Sequence, residues 1–144
     1  WLINGEYSGK APEIDLKVEK DQAEKLLAAI QKGIVQSAED IAEGGLAVAL
    51  SESVIRSNGL GAHVTISGDK TVALFSESQS RYIVTVKEEN TKAFEALGFN
   101  AKRIGTVTDD GTLVILHEEE GEIIREPVSS LEVIWKESIA KSLN

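Results

Sequence analysis

The run Asp40-Ile41-Ala42-Glu43-Gly44-Gly45-Leu46-Ala47-Val48-Ala49-Leu50 limits the possible folds more than any other stretch of this chain. Before it, Val35 to Ile41 reads as a short strand. After it, Leu46 to Ser57 reads as a helix with apolar residues on more than one side, the pattern of a buried helix. The joint between them is a Gly-Gly pair preceded by two carboxylates, Asp40 and Glu43. Glycines admit positive φ and close approach of other groups. Free N–H groups and the helix dipole attract anions to such a joint. It reads either as an anion-binding turn or as a tight turn with Glu43 placed favourably near a helix start. The full phosphate-loop signature is missing.

A second polar constellation, Glu77-Ser78-Gln79-Ser80-Arg81, stands between Phe75 and the β-branched and aromatic run Tyr82 to Val86. A carboxylate, hydroxyls, an amide and a guanidinium together suit a polyhydroxylated or phosphorylated ligand. The same residues also suit a polar turn whose Ser and Gln cap the backbone. If both motifs serve one site, Asp40 and Gln79 must meet at the same end of the sheet.

The rest of the chain supplies the frame. Trp1 to Leu16 is broken by Gly5, Gly9 and Pro12 and reads as an entry segment; Ile14, Leu16 and Val18 alternate as a brief strand would. Asp21 is the expected cap of a helix carrying Ala23, Leu26, Leu27, Ile30 and Ile34 at helical spacing, with Gly33 as its stop. Gly61 to Ile66 reads as a strand, Ser67 to Lys70 as a turn, and Val72 to Phe75 as a short strand. Tyr82 to Val86 is expected to be a strand covered on both faces. Thr91 to Leu97 places Ala93, Phe94 and Leu97 on one helical face. Asp109-Asp110-Gly111 between Lys102 to Thr108 and Thr112 to His117 is a hairpin signal. Glu122 to Glu126 follows as a strand after the acidic turn at Glu118 to Gly121. Ser129 and Glu132 spell a capping box, with Val128 and Val133 as a staple. Leu131, Ile134, Trp135, Ile139 and Leu143 form the apolar stripe of a last helix, with Trp135 as a core anchor. Helices alternating with strands and hairpins define an α/β (α+β) class: a single domain over residues 1–144, a mixed β-sheet with helices packed on it.

Composition narrows the function. A net charge of −9 argues against a general nucleic-acid or anionic-membrane binder. No apolar run approaches the roughly 20 residues of a membrane span. The absence of cysteine removes disulfides, thiolate zinc sites and a cysteine nucleophile. His63 and His117 are too few for a His-rich metal site and read as surface or strand residues. The chain lacks methionine and begins at Trp1, which reads as a piece of a longer protein.

Ser37 to Leu50 together with Leu74 to Tyr82 closely resembles phosphoribosylformylglycinamidine synthase, in particular the C-terminal domain of the second half of its synthetase subunit. Ala11 to Leu16, Ile104 to Val107 and Trp135-Lys136 also fit, so the resemblance covers almost the whole chain. The domain type is shared with aminoimidazole ribonucleotide synthetase, selenophosphate synthetase, thiamine-monophosphate kinase and the hydrogenase maturation factor. The resemblance implies a cytoplasmic carbon–nitrogen ligase of purine biosynthesis. It uses ATP, Mg2+ and glutamine-derived ammonia to convert formylglycinamide ribonucleotide to its amidine. Expected partners are the rest of the synthetase chain, a glutaminase subunit and a small accessory subunit. By resemblance, Asp40, Glu43, Gly44, Gly45, Glu77, Ser78, Gln79 and Arg81 line a ligand site, which is auxiliary in the second half. No catalytic residue or metal ligand is expected in this piece, and the piece alone is expected to be inactive. The family's usual histidine is replaced here by Glu39, which leaves a proton-transfer role at this loop without support. The alternative is a non-enzymatic acidic α/β docking module, supported by the charge and the lack of an obvious nucleophile.

Overall fold

A computed structural model describes residues 13–142, with side chains described up to Ser138. The first twelve residues of the expected entry segment therefore lie outside the described residues. The element order is α1 (Leu16–Gln31), β1 (Val35–Asp40), α2 (Gly45–Ile55), β2 (Gly61–Ile66), α3 (Lys70–Phe75), β3 (Tyr82–Val86), α4 (Thr91–Glu95), β4 (Gly105–Thr108), β5 (Thr112–His117), β6 (Gly121–Pro127) and α5 (Val128–Ser142). The α/β class with helices on mixed sheet is as expected, but the strands divide into two sheets. One is an antiparallel pair, β1–β3; the other is four-stranded in the order β4-β2-β5-β6, with β2 and β5 parallel.

Each sheet has its own core. The larger core joins Leu46, Ala49, Leu50 and Val54 of α2 to Ala62, Val64 and Ile66 of β2 and Leu113 and Ile115 of β5. Leu113 and Ile115 are each 1% exposed, so burial here is nearly complete. The smaller core packs Leu26 and Ala29 of α1 on Val35, with Tyr82, Val84, Val86, Phe94 and Leu97 around them. Phe94 stacks on Phe99 at a centroid distance of 4.6 Å. Strand β3 alternates between the two cores: Ile83 packs against the larger one, its neighbours against the smaller. None of its five residues is fully buried, so the expected cover on both faces is only partial.

Local chemistry explains where the elements begin. Asp15, not Asp21, caps α1, accepting from the N–H groups of Lys17 (2.9 Å) and Val18 (3.2 Å). Asp21 lies nearly two turns further in and accepts from Lys25 Nζ. Ile14, Leu16 and Val18 therefore do not form a strand; Leu16 opens the helix. Val72 to Phe75 is also helical rather than extended, because Asp69 caps α3 by accepting from the Val72 N–H at 2.9 Å. In α5, Val128 is already helical and its N–H reaches the Gly111 carbonyl, so Ser129 is not the cap. Val133 is half exposed, as are Ile134 and Trp135, the last at 52%; Trp135 is not a core anchor. Among the described side chains of α5, Val128 and Leu131 meet the larger core; Ile139 and Leu143 of the expected stripe lie outside the described side chains.

The expected β4–β5 hairpin does not form. Strand β2 lies between the two, antiparallel to β4 and parallel to β5. The Asp109–Gly111 turn instead crosses the first residue of β2. Asp110 holds the crossing by accepting from Thr108 Oγ1 (2.7 Å) and the Thr112 N–H (3.1 Å) and pairing with His63 Nε2 (2.9 Å). Gly61 makes the crossing possible: a Cβ there would stand 2.4 Å from the Thr112 carbonyl oxygen and 2.5 Å from Asp110 Oδ1. His117, buried at the end of β5, anchors the acidic turn. Its Nε2 lies 2.7 Å from the Gly68 carbonyl, and its Nδ1 accepts from the N–H groups of Glu119 and Glu120.

Gly61→Ala should lower unfolding stability by about 1–3 kcal/mol, the usual range for forced overpacking against backbone. Urea denaturation followed by circular dichroism measures it. An unchanged midpoint would contradict the crossing geometry.

Candidate functional site

The joint between the two cores is also where the two polar motifs meet. Strand β1 pairs with β3 so that Asp40 stands opposite Tyr82, and the Ile41 N–H donates to the Arg81 carbonyl at 2.9 Å. The chain then turns through Ala42 to Gly44 and enters α2. Gly44 has φ of +81° and Gly45 φ of +66°, conformations that L side chains avoid. At Gly45 a Cβ would also stand 2.6 Å from the Leu74 carbonyl oxygen and 2.7 Å from Phe75 Cα. The missing side chain therefore lets the end of α3 rest directly on the start of α2. Just beyond that contact, α3 ends and the Glu77–Arg81 loop begins.

The result is a cleft of about 310 Å3 lined by Asp40, Ile41, Ala42 and Glu43 from one motif and Glu77, Gln79, Ser80, Arg81 and Tyr82 from the other. Glu19 of α1 closes its side. Five of the eight residues singled out from the sequence, Asp40, Glu43, Glu77, Gln79 and Arg81, are thus brought together on one wall. Gly44 stands at the margin, Gly45 is buried beneath, and Ser78 is not on the lining.

The hydrogen bonds decide what this wall can do. The Gly44 N–H donates to Glu77 Oε1 at 2.8 Å, and the Gly45 N–H donates to the Ala42 carbonyl at 3.1 Å. The Gly44 and Gly45 amides are therefore engaged within the protein, and the Glu77 carboxylate stands at the helix start. Arg81 Nη1 donates to the Ser76 carbonyl at 2.7 Å, bracing the loop that carries it. Ser80 Oγ donates to Glu19 Oε2, and Tyr82 Oη stands 3.4 Å from Glu19 Oε1. Four carboxylates and one guanidinium on the lining give the wall an acidic balance. Partial burial, followed by the nearby Glu19 and Asp40 carboxylates, pushes the Tyr82 hydroxyl above its usual value. Such a wall suits hydroxyl or amine donors and metal-complexed phosphate better than bare phosphate.

Glu39 faces away from this wall, as strand alternation requires next to Asp40. Its two oxygens accept from Arg56 Nη1 at 2.9 and 2.8 Å, and Arg56 Nη2 reaches Glu52 at 2.7 Å. These carboxylates raise the Arg56 pKa further. Glu39 thus ties β1 to the end of α2. Sequence reasoning missed Glu19. Its only local signal was a carboxylate in the first turn of a helix, and nothing there marks a partner 61 positions away.

A fold of two small sheets joined at a Gly-Gly turn, with polar loops from each meeting in a cleft, defines the class of protein. The family model for the C-terminal domain of AIR synthase related proteins matches residues 3–118, and the chain belongs to that family. Among solved structures, Thermotoga maritima PurL complexed with FGAR is similar over 89% of this chain and 23% of its own, at TM-score 0.76 and 23% identity. Phosphoribosylformylglycinamidine synthase II from Thermotoga maritima is similar over 84% of this chain and 22% of its own, at TM-score 0.71 and 24% identity. Hydrogenase maturation protein HypE in complex with ATP is similar over 71% of this chain and 38% of its own, at TM-score 0.56 and 23% identity. At these identities the likeness is one of fold. The chain spans about a quarter of the length of the PurL structures.

Because Tyr82 binds its proton more tightly folded than unfolded, the folded state holds more protons above the ordinary tyrosine range. Stability should therefore fall as pH rises from about 10. In a spectrophotometric titration, the Tyr82→Phe difference should place Tyr82 above that value. Glu19→Gln should bring it down. An unshifted Tyr82 would contradict the cleft electrostatics.

Proposed function

We propose that this domain is the C-terminal part of the second half of a phosphoribosylformylglycinamidine synthase synthetase subunit, and that the acidic wall is one side of a ligand cleft. The enzyme would convert formylglycinamide ribonucleotide to its amidine with ATP, Mg2+ and glutamine-derived ammonia. A neighbouring ATP-binding-type domain would form the other side of the cleft. A glutaminase subunit and a small accessory subunit would complete the assembly, in the cytoplasm. Family membership supports the general reading. The observation that carries the finer one is the meeting of Asp40 and Glu43 with Glu77, Gln79 and Arg81 on one cleft.

The donor set limits what this wall contributes. Among the described residues, no three His, Asp or Glu side chains stand where they could hold a metal ion by themselves; magnesium here would be held by one or two of the wall's carboxylates together with ligand phosphate oxygens. The Gly44 N–H is taken by Glu77 and the Gly45 N–H by the Ala42 carbonyl, so neither of these two amides is open to a phosphate. The wall's share is recognition: carboxylates at 40 and 43 accept from ligand hydroxyls, and the Gln79 amide both donates and accepts. None of these groups is assigned a chemical step. No helix among the described residues is long and apolar enough to cross a membrane.

The complete synthetase chain, given formylglycinamide ribonucleotide, ATP, Mg2+ and ammonia, should form the amidine, and the present chain alone should not. Gln79→Ala or Asp40→Asn in the complete chain should lower kcat/KM or nucleotide retention roughly tenfold, the usual scale for one lost hydrogen bond to a ligand. Wild-type behaviour in both variants would remove the site assignment. A complete chain without amidine formation would favour the docking-module reading.

A further inference from the structure

We propose that Glu19 is the positioning residue of the cleft: from α1 it holds Ser80 in a left-handed backbone conformation and so sets where Gln79 stands. The proposal rests on the reading of this cleft as a ligand site. It adds a residue that neither polar motif contains.

The Glu77–Arg81 loop is fastened at two ends by two different carboxylates. At its start the loop's own Glu77 takes the Gly44 N–H. At its end the carboxylate comes from outside: Glu19 accepts from Ser80 Oγ and faces Tyr82 Oη. Between the two fastenings stand Ser78 and Gln79, and Gln79 lines the cleft. Ser80 has φ of 59°. An L residue other than Asn or Asp rarely adopts that conformation, because its Cβ crowds the following carbonyl. Such a conformation persists where the surroundings over-determine it, and these residues concentrate at ligand sites. The Glu19 carboxylate is a contact in the structure that can hold it. Strand β3 begins at Tyr82, so releasing Ser80 would let the loop relax against a fixed strand. Gln79, directly before Ser80, would move with it.

Helix α1 carries the clamp and is seated through its own contacts with the smaller core, which Tyr82 joins to the cleft. Leu26 and Ala29 pack in the smaller core, and Lys25 Nζ reaches the Gly98 carbonyl at 2.9 Å. Glu19 lies on the same face as Leu26, about two turns towards the N-terminus. A firmly seated helix thus presents one carboxylate to both Ser80 and Tyr82, at the point where the loop becomes strand.

The test uses the complete synthetase chain with Glu19→Ala, Glu19→Gln, Ser80→Gly and the Glu19→Ala/Ser80→Gly double variant. Two readouts are taken: hydrogen exchange of the peptide spanning 77–82, and steady-state kinetics with formylglycinamide ribonucleotide and ATP. Glu19→Ala should speed exchange in that peptide and raise KM about tenfold, with kcat changed less. Glu19→Gln keeps an acceptor and should lie nearer wild type. Glycine takes positive φ without strain, so Ser80→Gly should restore much of what Glu19→Ala loses. Unchanged exchange in Glu19→Ala overturns the proposal. So does a kinetic defect that Ser80→Gly fails to relieve, because Glu19 would then touch the ligand itself. If the wild-type chain forms no amidine, the functional reading fails separately, and the exchange data still decide whether Glu19 holds the loop.

Discussion

Everything in this domain turns on one close approach: the end of α3 lies against Gly45 with no room for a side chain. That contact fixes where α2 starts, and α2 is the helix on which the four-stranded sheet builds its core. It also fixes where the Glu77–Arg81 loop leaves α3. Because β1 runs directly into the same glycines, the small sheet is tied to the large one at this joint. The Gly44 N–H to Glu77 bond then closes the arrangement from the other side. Backbone approach, strand pairing and one carboxylate together place two distant stretches of sequence on one cleft.

The cleft illustrates how a polar motif can be mostly structural. Of the five residues from Glu77 to Arg81, Glu77 binds a backbone amide, Ser80 binds Glu19, and Arg81 braces a carbonyl. Gln79 is the member whose side chain the wall leaves to a ligand, alongside Asp40 and Glu43 from the opposite motif. The Gly44 N–H at the start of α2 is already taken by the Glu77 carboxylate. What remains facing the cleft is acidic and hydrogen-bonding, a surface matched to hydroxyls and to cation-bearing groups. Glu39 lies outside this scheme: its bidentate hold on Arg56 is a strap between β1 and α2.

Strands β1 and β2 and helix α2 were legible in the sequence because each carries an unbroken pattern bounded by glycine or a turn. The convergence of Asp40 and Gln79 was legible as a requirement and is met. Other features were not. Val72 to Phe75 is too short for periodicity to separate helix from strand, and the Asp69 cap decides it. The Asp109–Gly111 turn has hairpin residues, yet β2 inserts between the flanking strands, a non-local pairing that turn chemistry does not encode. Trp135 sits on a helical stripe, but among the described residues α5 meets the larger core through Val128 and Leu131 and leaves Trp135 half exposed. Asp21 reads as the cap because apolar residues follow it at helical spacing; the same holds of Asp15, whose carboxylate takes the Lys17 and Val18 amides. Glu19 was invisible because its role exists only once α1 has docked.

The most direct measurement uses the absence of cysteine in this chain. A nitroxide attached at Gln79→Cys should broaden the backbone amide signals of residues 40 to 44 and spare those of 109 to 111, which lie at the turn crossing β2. Undiminished signals at 40 to 44 would mean that the two motifs do not share a cleft, and the central claim would be wrong.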